Sequence, residues 1–98
     1  MNISKTQDGE KTIFTLTGRL DTITAPELGD TILPALGSTS VELDFRGLDY
    51  VSSAGLRVLL MAEKEAKAKG TNFHISNVSE NIMEILDMTG FSAFLKIL

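Results

Sequence analysis

A chain of 98 residues suits one compact domain spanning 1–98 and is too short for two. With 43% hydrophobic and 22% charged residues it has ordinary globular composition, which excludes a disordered chain. The absence of cysteine excludes disulfide and thiol chemistry and favours a reducing compartment, and the net charge of −4 argues against direct nucleic-acid binding, which normally calls for a basic surface.

In chain order, "NISK" and "KTIFTLTG" read as two short strands joined by a turn at Asp8-Gly9, with Gly18 closing the second. The N-terminal stretch carries no apolar run of the signal-peptide kind. "TAPELGDTILPALG" reads as a helix. Thr24 is its expected N-cap, Pro26 lies in the first turn, and Glu27 completes a capping box. Leu28, Ile32 and Leu36 form its apolar stripe, and Pro34 is expected to kink or shorten the last turn.

"VELDF" alternates, with Val41, Leu43 and Phe45 on one face and Glu42 and Asp44 on the other, the pattern of a strand covered on one side. A helix follows from about Ser53 to Lys69, stopped by Gly70. Apart from Arg57 its charges begin at Glu63, and the pairs Glu63–Lys67 and Glu65–Lys69 predict a solvated face. "TNFHIS" alternates again, Phe73 and Ile75 opposing Asn72 and His74. "SENIMEILDMTG" reads as a helix capped by Ser79, with the stripe Ile82, Ile85, Leu86 and Thr89 and a stop at Gly90. "AFLKIL" reads as a last strand.

The order ββαβαβαβ predicts an α/β domain with a mixed sheet: one antiparallel hairpin, then parallel strands joined by right-handed crossovers, with helices mainly on one face. The longest apolar run, Val58 to Ala62, is far too short to span a bilayer, so a soluble cytoplasmic chain without membrane insertion is expected.

The stretch that calls for explanation is Ser52-Ser53. Ser52 reads as the N-cap of the central helix, which puts Ser53 in its first turn, beside free backbone N–H groups and the positive end of the helix dipole. Capping accounts for one serine but not for a second, nor for Ala54 and Gly55 in a helix start that glycine weakens. Gly55 is expected to leave room near the hydroxyls for an oxyanion or phosphate. The helix is apolar nearly all round from Leu56 to Ala62, and the surplus around Val58 and Met61 is a candidate partner surface, against the simpler reading of deep burial.

"LDFRGLDYVSSAGLRVLL", with "LTGRLDTITAPEL" upstream and "DMTGF" downstream, resembles the STAS domain of bacterial anti-sigma factor antagonists over essentially the whole chain. The resemblance implies a non-enzymatic, phosphorylation-controlled partner switch. The unmodified domain binds an anti-sigma factor that is also an ATP-dependent serine kinase; phosphorylation releases it, and a PP2C-type phosphatase resets the domain. Alignment on Gly55-Leu56 puts the phosphate acceptor at Ser53.

Ser52 stands where the family often has an acid, which makes it a second candidate acceptor, and Arg57 stands where a glycine is common. Asp21 matches a family acid near the partner-binding surface, although a turn-former's role accounts for it equally well. The implied partner surface is thus Asp21, Ser52, Ser53, Ala54, Gly55, Arg57, Val58 and Met61. Arg57, one turn beyond Ser53, is within reach of a phosphate there but reads more simply as an exposed rim residue.

Other candidates carry little. His74 is the only histidine, so a metal site is not expected. No Walker A or G-x-G-x-x-G motif supports nucleotide binding, and no cofactor is implied. Two alternatives remain: a non-phosphorylated STAS scaffold, docked on a lipid-transport ATPase or within a signalling assembly, and an enzyme with Ser53 as nucleophile. The second lacks an evident base, although the strand order by itself leaves His74 free to approach the loop.

Overall fold

The computed structural model describes residues 1–98. It begins with an antiparallel hairpin, β1 (Asn2–Asp8) and β2 (Lys11–Leu20), in which Asp8 pairs with Lys11 and Gly9 supplies a positive φ of 64° for the two-residue turn. Then follow α1 (Ala25–Leu36), β3 (Ser40–Val51), α2 (Ser53–Lys69), β4 (Phe73–Ser76), α3 (Glu80–Thr89), a short 3-10 turn (Phe91–Ala93) and β5 (Lys96–Ile97). The five strands lie in sequence order in one sheet, and every pair after the hairpin is parallel. Right-handed crossovers between strands that advance in one direction put all three helices on the same face.

Alternation decides which residues meet those helices. Phe14 and Leu16 of β2, Val41, Leu43 and Phe45 of β3, and Phe73 and Ile75 of β4 are all buried. Leu28, Ile32 and Leu36 of α1, Leu59, Ala62 and Ala66 of α2, and Ile82 and Leu86 of α3 close over them as one core. The opposite face carries Glu42, His74 and Lys96 in register, with Lys11 reaching Glu42 from β2, and it is open to solvent. No helix is long and apolar enough to cross a membrane.

Several elements depart from the sequence reading. Gly18 does not end β2; with φ at 106° it accompanies a bulge, after which the strand runs on to Leu20. Likewise β3 continues past Phe45 to Val51. Pro34 sits in α1 without ending it before Leu36. Thr89 is exposed and lies outside the buried stripe of α3, and only Lys96 and Ile97 of the last segment form a strand. Glu63 is not on the solvated face of α2. It is 5% exposed, and its Oε2 is buried without a hydrogen-bond partner. A position 40° round the helix from Leu59 puts it on the core side of the charged turn.

Candidate functional site

The carboxyl ends of β2 and β3 extend well beyond β4, which pairs with β3 only from Val41 to Asp44. Their last residues, Leu20 and Val51, pair with each other and feed directly into the two turns that lead to α1 and α2. The Ser52 N–H donates to the Leu20 carbonyl at 2.9 Å, which ties the two turns together. This extension brings Asp21 and the serine pair to one end of the molecule.

At the start of α2 the serines have different tasks. Ser52 has extended backbone (φ −93°, ψ 175°), and its Oγ accepts from the Gly55 N–H at 3.3 Å, as an N-cap should. Ser53 is the first helical residue and is exposed, and its hydroxyl makes no hydrogen bond within the protein. The Gly55 and Leu56 N–H groups are used by the Ser52 side chain and carbonyl. The N–H groups of Ser53 and Ala54 are left for solvent or an anion.

Gly55 does not hold space open for a phosphate. It is buried, and a Cβ there would lie 2.7 Å from Leu20 Cγ and 3.1 Å from the Leu20 carbonyl. Its missing side chain is what lets α2 begin against the end of β2. The apolar surplus of α2 is likewise partly spoken for. Val58 and Met61 are half-buried, and both reach to about 4 Å of the Cβ position of Gly29 on α1. Ala54 is also half-buried, while Arg57 is exposed and has no ion pair.

Asp21 shapes the other turn. Its Oδ1 accepts from the Ile23 N–H at 3.0 Å and the Thr24 N–H at 3.1 Å, while its own N–H donates to Thr24 Oγ1 at 2.9 Å. The reciprocal capping box therefore spans Asp21 to Thr24, not Thr24 to Glu27, and Thr24 makes no side-chain cap of its own. The Thr24 N–H bond to Asp21, joined by that of Ile23 and the Thr24 hydroxyl and by Arg19 at 3.8 Å, holds the Asp21 carboxyl below its usual pKa against a smaller opposing effect of desolvation.

Three neighbours escaped sequence reading: Arg19, whose guanidinium lies 4.2 Å over the Tyr50 ring, Tyr50 itself, and Ile23, which is 86% exposed. Arg19 and Tyr50 are opposite one another across β2 and β3, a pairing hidden by the two bulges that precede it.

His74 is remote from this end. It pairs in register with Glu42, nine residues before the end of β3, so roughly 30 Å of strand separates the two levels. It also lies on the sheet face opposite the helices, so a Ser53–His74 catalytic pair is ruled out by position. No group of three or more His, Asp or Glu side chains is arranged to hold a metal ion.

A family model described as "Mlab, STAS domain" matches residues 3–97. The chain belongs to the STAS family. The anti-sigma-B factor antagonist of Bacillus subtilis (strain 168) is 24% identical over 98 residues, covering 99% of this chain and 90% of that protein. The protein of the same name from Staphylococcus epidermidis is 32% identical over 75 residues, covering 74% of this STAS chain and 69% of the relative. Among solved structures, the Bacillus cell fate determinant SpoIIAA in its phosphorylated form superposes with a TM-score of 0.76 at 18% identity, over 99% of this chain and 91% of that one. At that identity the likeness speaks for the fold: the five-stranded mixed sheet with its helices is the STAS architecture.

Proposed function

We propose that this STAS domain is an anti-sigma factor antagonist switched by phosphate on Ser53. The unmodified end formed by Asp21, Ser52, Ser53 and Arg57 docks an anti-sigma factor serine kinase. That kinase transfers the γ-phosphoryl group of ATP to the Ser53 oxygen, with loss of the hydroxyl proton and departure of ADP. A PP2C-type phosphatase hydrolyses the ester and restores docking. The names of the curated relatives support the antagonist role. The observation that carries the assignment to Ser53 is the division of labour at the helix start: Ser52 is committed to the cap, and the Ser53 hydroxyl is exposed and unbonded.

The mechanism follows from charge. Phosphate brings about −1.5 to −2 charges and three acceptor oxygens. At a helix N-terminus that anion is tolerated, so the fold persists and the effect falls on the interface. Burying the dianion unpaired against a partner costs several kcal/mol, and each ~1.4 kcal/mol weakens binding tenfold.

The test is affinity capture with wild type, Ser53→Ala and Ser53→Asp, together with incubation of the wild type with ATP and the captured kinase. Wild type and Ser53→Ala are expected to retain the kinase and Ser53→Asp to lose it, with one phosphate added to the wild type alone. Equal retention by all three would remove the switch and leave a passive scaffold.

A further inference from the structure

We propose that Arg57 is the built-in counter-ion of phosphorylated Ser53, an intramolecular pair that this chain carries on its own helix. The inference deepens the reading above, because it rests on Ser53 carrying a phosphate. Ser53 is the first residue of α2, and Arg57 lies four residues on. That spacing sets the two Cβ atoms about 5–6 Å apart on one helix face. Side chains on a helix lean toward its N-terminus, so Arg57, exposed on the next turn, has the reach to bring its guanidinium back to a phosphate on Ser53.

Arg57 is also free for the task. It is exposed and makes no ion pair, whereas Arg19 is stacked on Tyr50 beside Asp21 and Arg46 lies 3.5 Å from Asp44. The residues one turn further along, Leu60 and Met61, offer no competing acid. The guanidinium fork matches two phosphate oxygens, while the unused N–H groups of Ser53 and Ala54 face the same anion from below.

Pairing changes what phosphorylation does at this end. Before modification, Arg57 is a free cation beside Ser53, available to an acidic group on a docked protein. Afterwards the phosphate occupies it. The modification therefore adds an anion and withdraws a cation in one step, and both changes oppose a partner that had engaged Arg57.

The experiment needs neither kinase nor partner. Phosphoserine is installed at position 53 during translation, in the wild-type chain and in Arg57→Gln, and the second ionisation of the phosphate is followed by 31P NMR against pH at low and high salt. A cation beside the dianion lowers the midpoint. The wild type is expected to titrate about 0.5 pH unit below Arg57→Gln at low salt, with the gap shrinking in salt. The helix N-terminus is common to both proteins, so it cancels in the comparison. Coincident titration curves would overturn the pairing. Because the phosphate is supplied synthetically, failure here leaves kinase docking untouched. Conversely, a kinase that ignores Ser53 would sink the switch while leaving the pair measurable.

Discussion

The Ser52 hydroxyl holds the Gly55 N–H at 3.3 Å, and that of Ser53 bonds to nothing in the protein. The two adjacent serines should therefore respond differently to the same substitution. Ser52→Ala removes an N-cap and is expected to lower stability by about 1 kcal/mol. Ser53→Ala removes an exposed, unbonded hydroxyl and is expected to stay within about 0.5 kcal/mol of wild type. Urea denaturation of both variants checks this, and equal losses would mean that Ser53 also holds the helix start. The comparison bears on Ser52 as a second phosphate acceptor as well. Modifying its oxygen would set a phosphate on the cap atom itself, whereas the Ser53 oxygen is free to be modified without cost to the helix. Asp21 has a structural task of the same kind, since its Oδ1 organises the turn into α1. Any contact it makes with a partner falls to Oδ2, the oxygen that faces Arg19.

At the scale of the element, the start of α2 is set by its close approach to β2. Gly55→Ala should gain up to about 1 kcal/mol in helix propensity. It also drives a Cβ to 2.7 Å from Leu20 Cγ and 3.1 Å from a backbone carbonyl that cannot swing aside. Overpacking of this kind typically costs about 1–3 kcal/mol, so the variant is expected to be less stable than wild type in urea denaturation. A more stable Gly55→Ala would show that α2 can shift outward at no cost. The purpose of this glycine was not legible in the sequence, where it looked like room for a phosphate, because the contact that requires it comes from 35 residues upstream. Local signals fared better. Gly70 and Gly90 adopt the left-handed conformation that ends α2 and α3, and Ser79 caps α3 through the Ile82 N–H. Val41, Leu43 and Phe45 alternate into the core as their period demanded. Sequence reading failed where strands changed register. The bulges beyond Thr15 and Gly18 break the period of two, so the last two residues of β2 and the distal half of β3 went unread as strand, and the Arg19–Tyr50 pair at the serine end stayed hidden with them. The capping box into α1 was misplaced by three residues because two overlapping runs, Asp21 to Thr24 and Thr24 to Glu27, both fit its spacing.

For the whole molecule, acid is the condition under which its tertiary ties are most exposed. Glu42 joins three strands on the open face of the sheet: Lys11 of β2 donates to its Oε1 at 3.1 Å and Ser76 of β4 to its Oε2 at 2.7 Å. Burial pushes its carboxyl upward, but the hydrogen bonds from Ser76 and Lys11 and the lysine charge outweigh that, and the net direction is down. Asp21 is lowered too, first by the Thr24 N–H bond, and it ties the end of β2 to α1. A carboxylate whose folded pKa lies below its unfolded value binds fewer protons in the native state. Its stabilisation is complete above the unfolded value, near 4, and is lost as pH falls through the folded one. Stability should thus be nearly flat in this respect from pH 7 to about 5 and fall below about 4, the region in which the unfolded chain takes up these protons first. Urea midpoints measured from pH 7 to pH 2.5 give the profile. Glu42→Gln and Asp21→Asn each remove one titrating group while keeping an oxygen that accepts a hydrogen bond. Each is expected to be less stable than wild type at pH 7 and to lose less on acidification, so that the gap to wild type narrows as the pH drops. A gap that stays constant down to pH 2.5 would mean that these carboxylates contribute through shape and neutral hydrogen bonding alone, and that the acid sensitivity of the domain arises elsewhere.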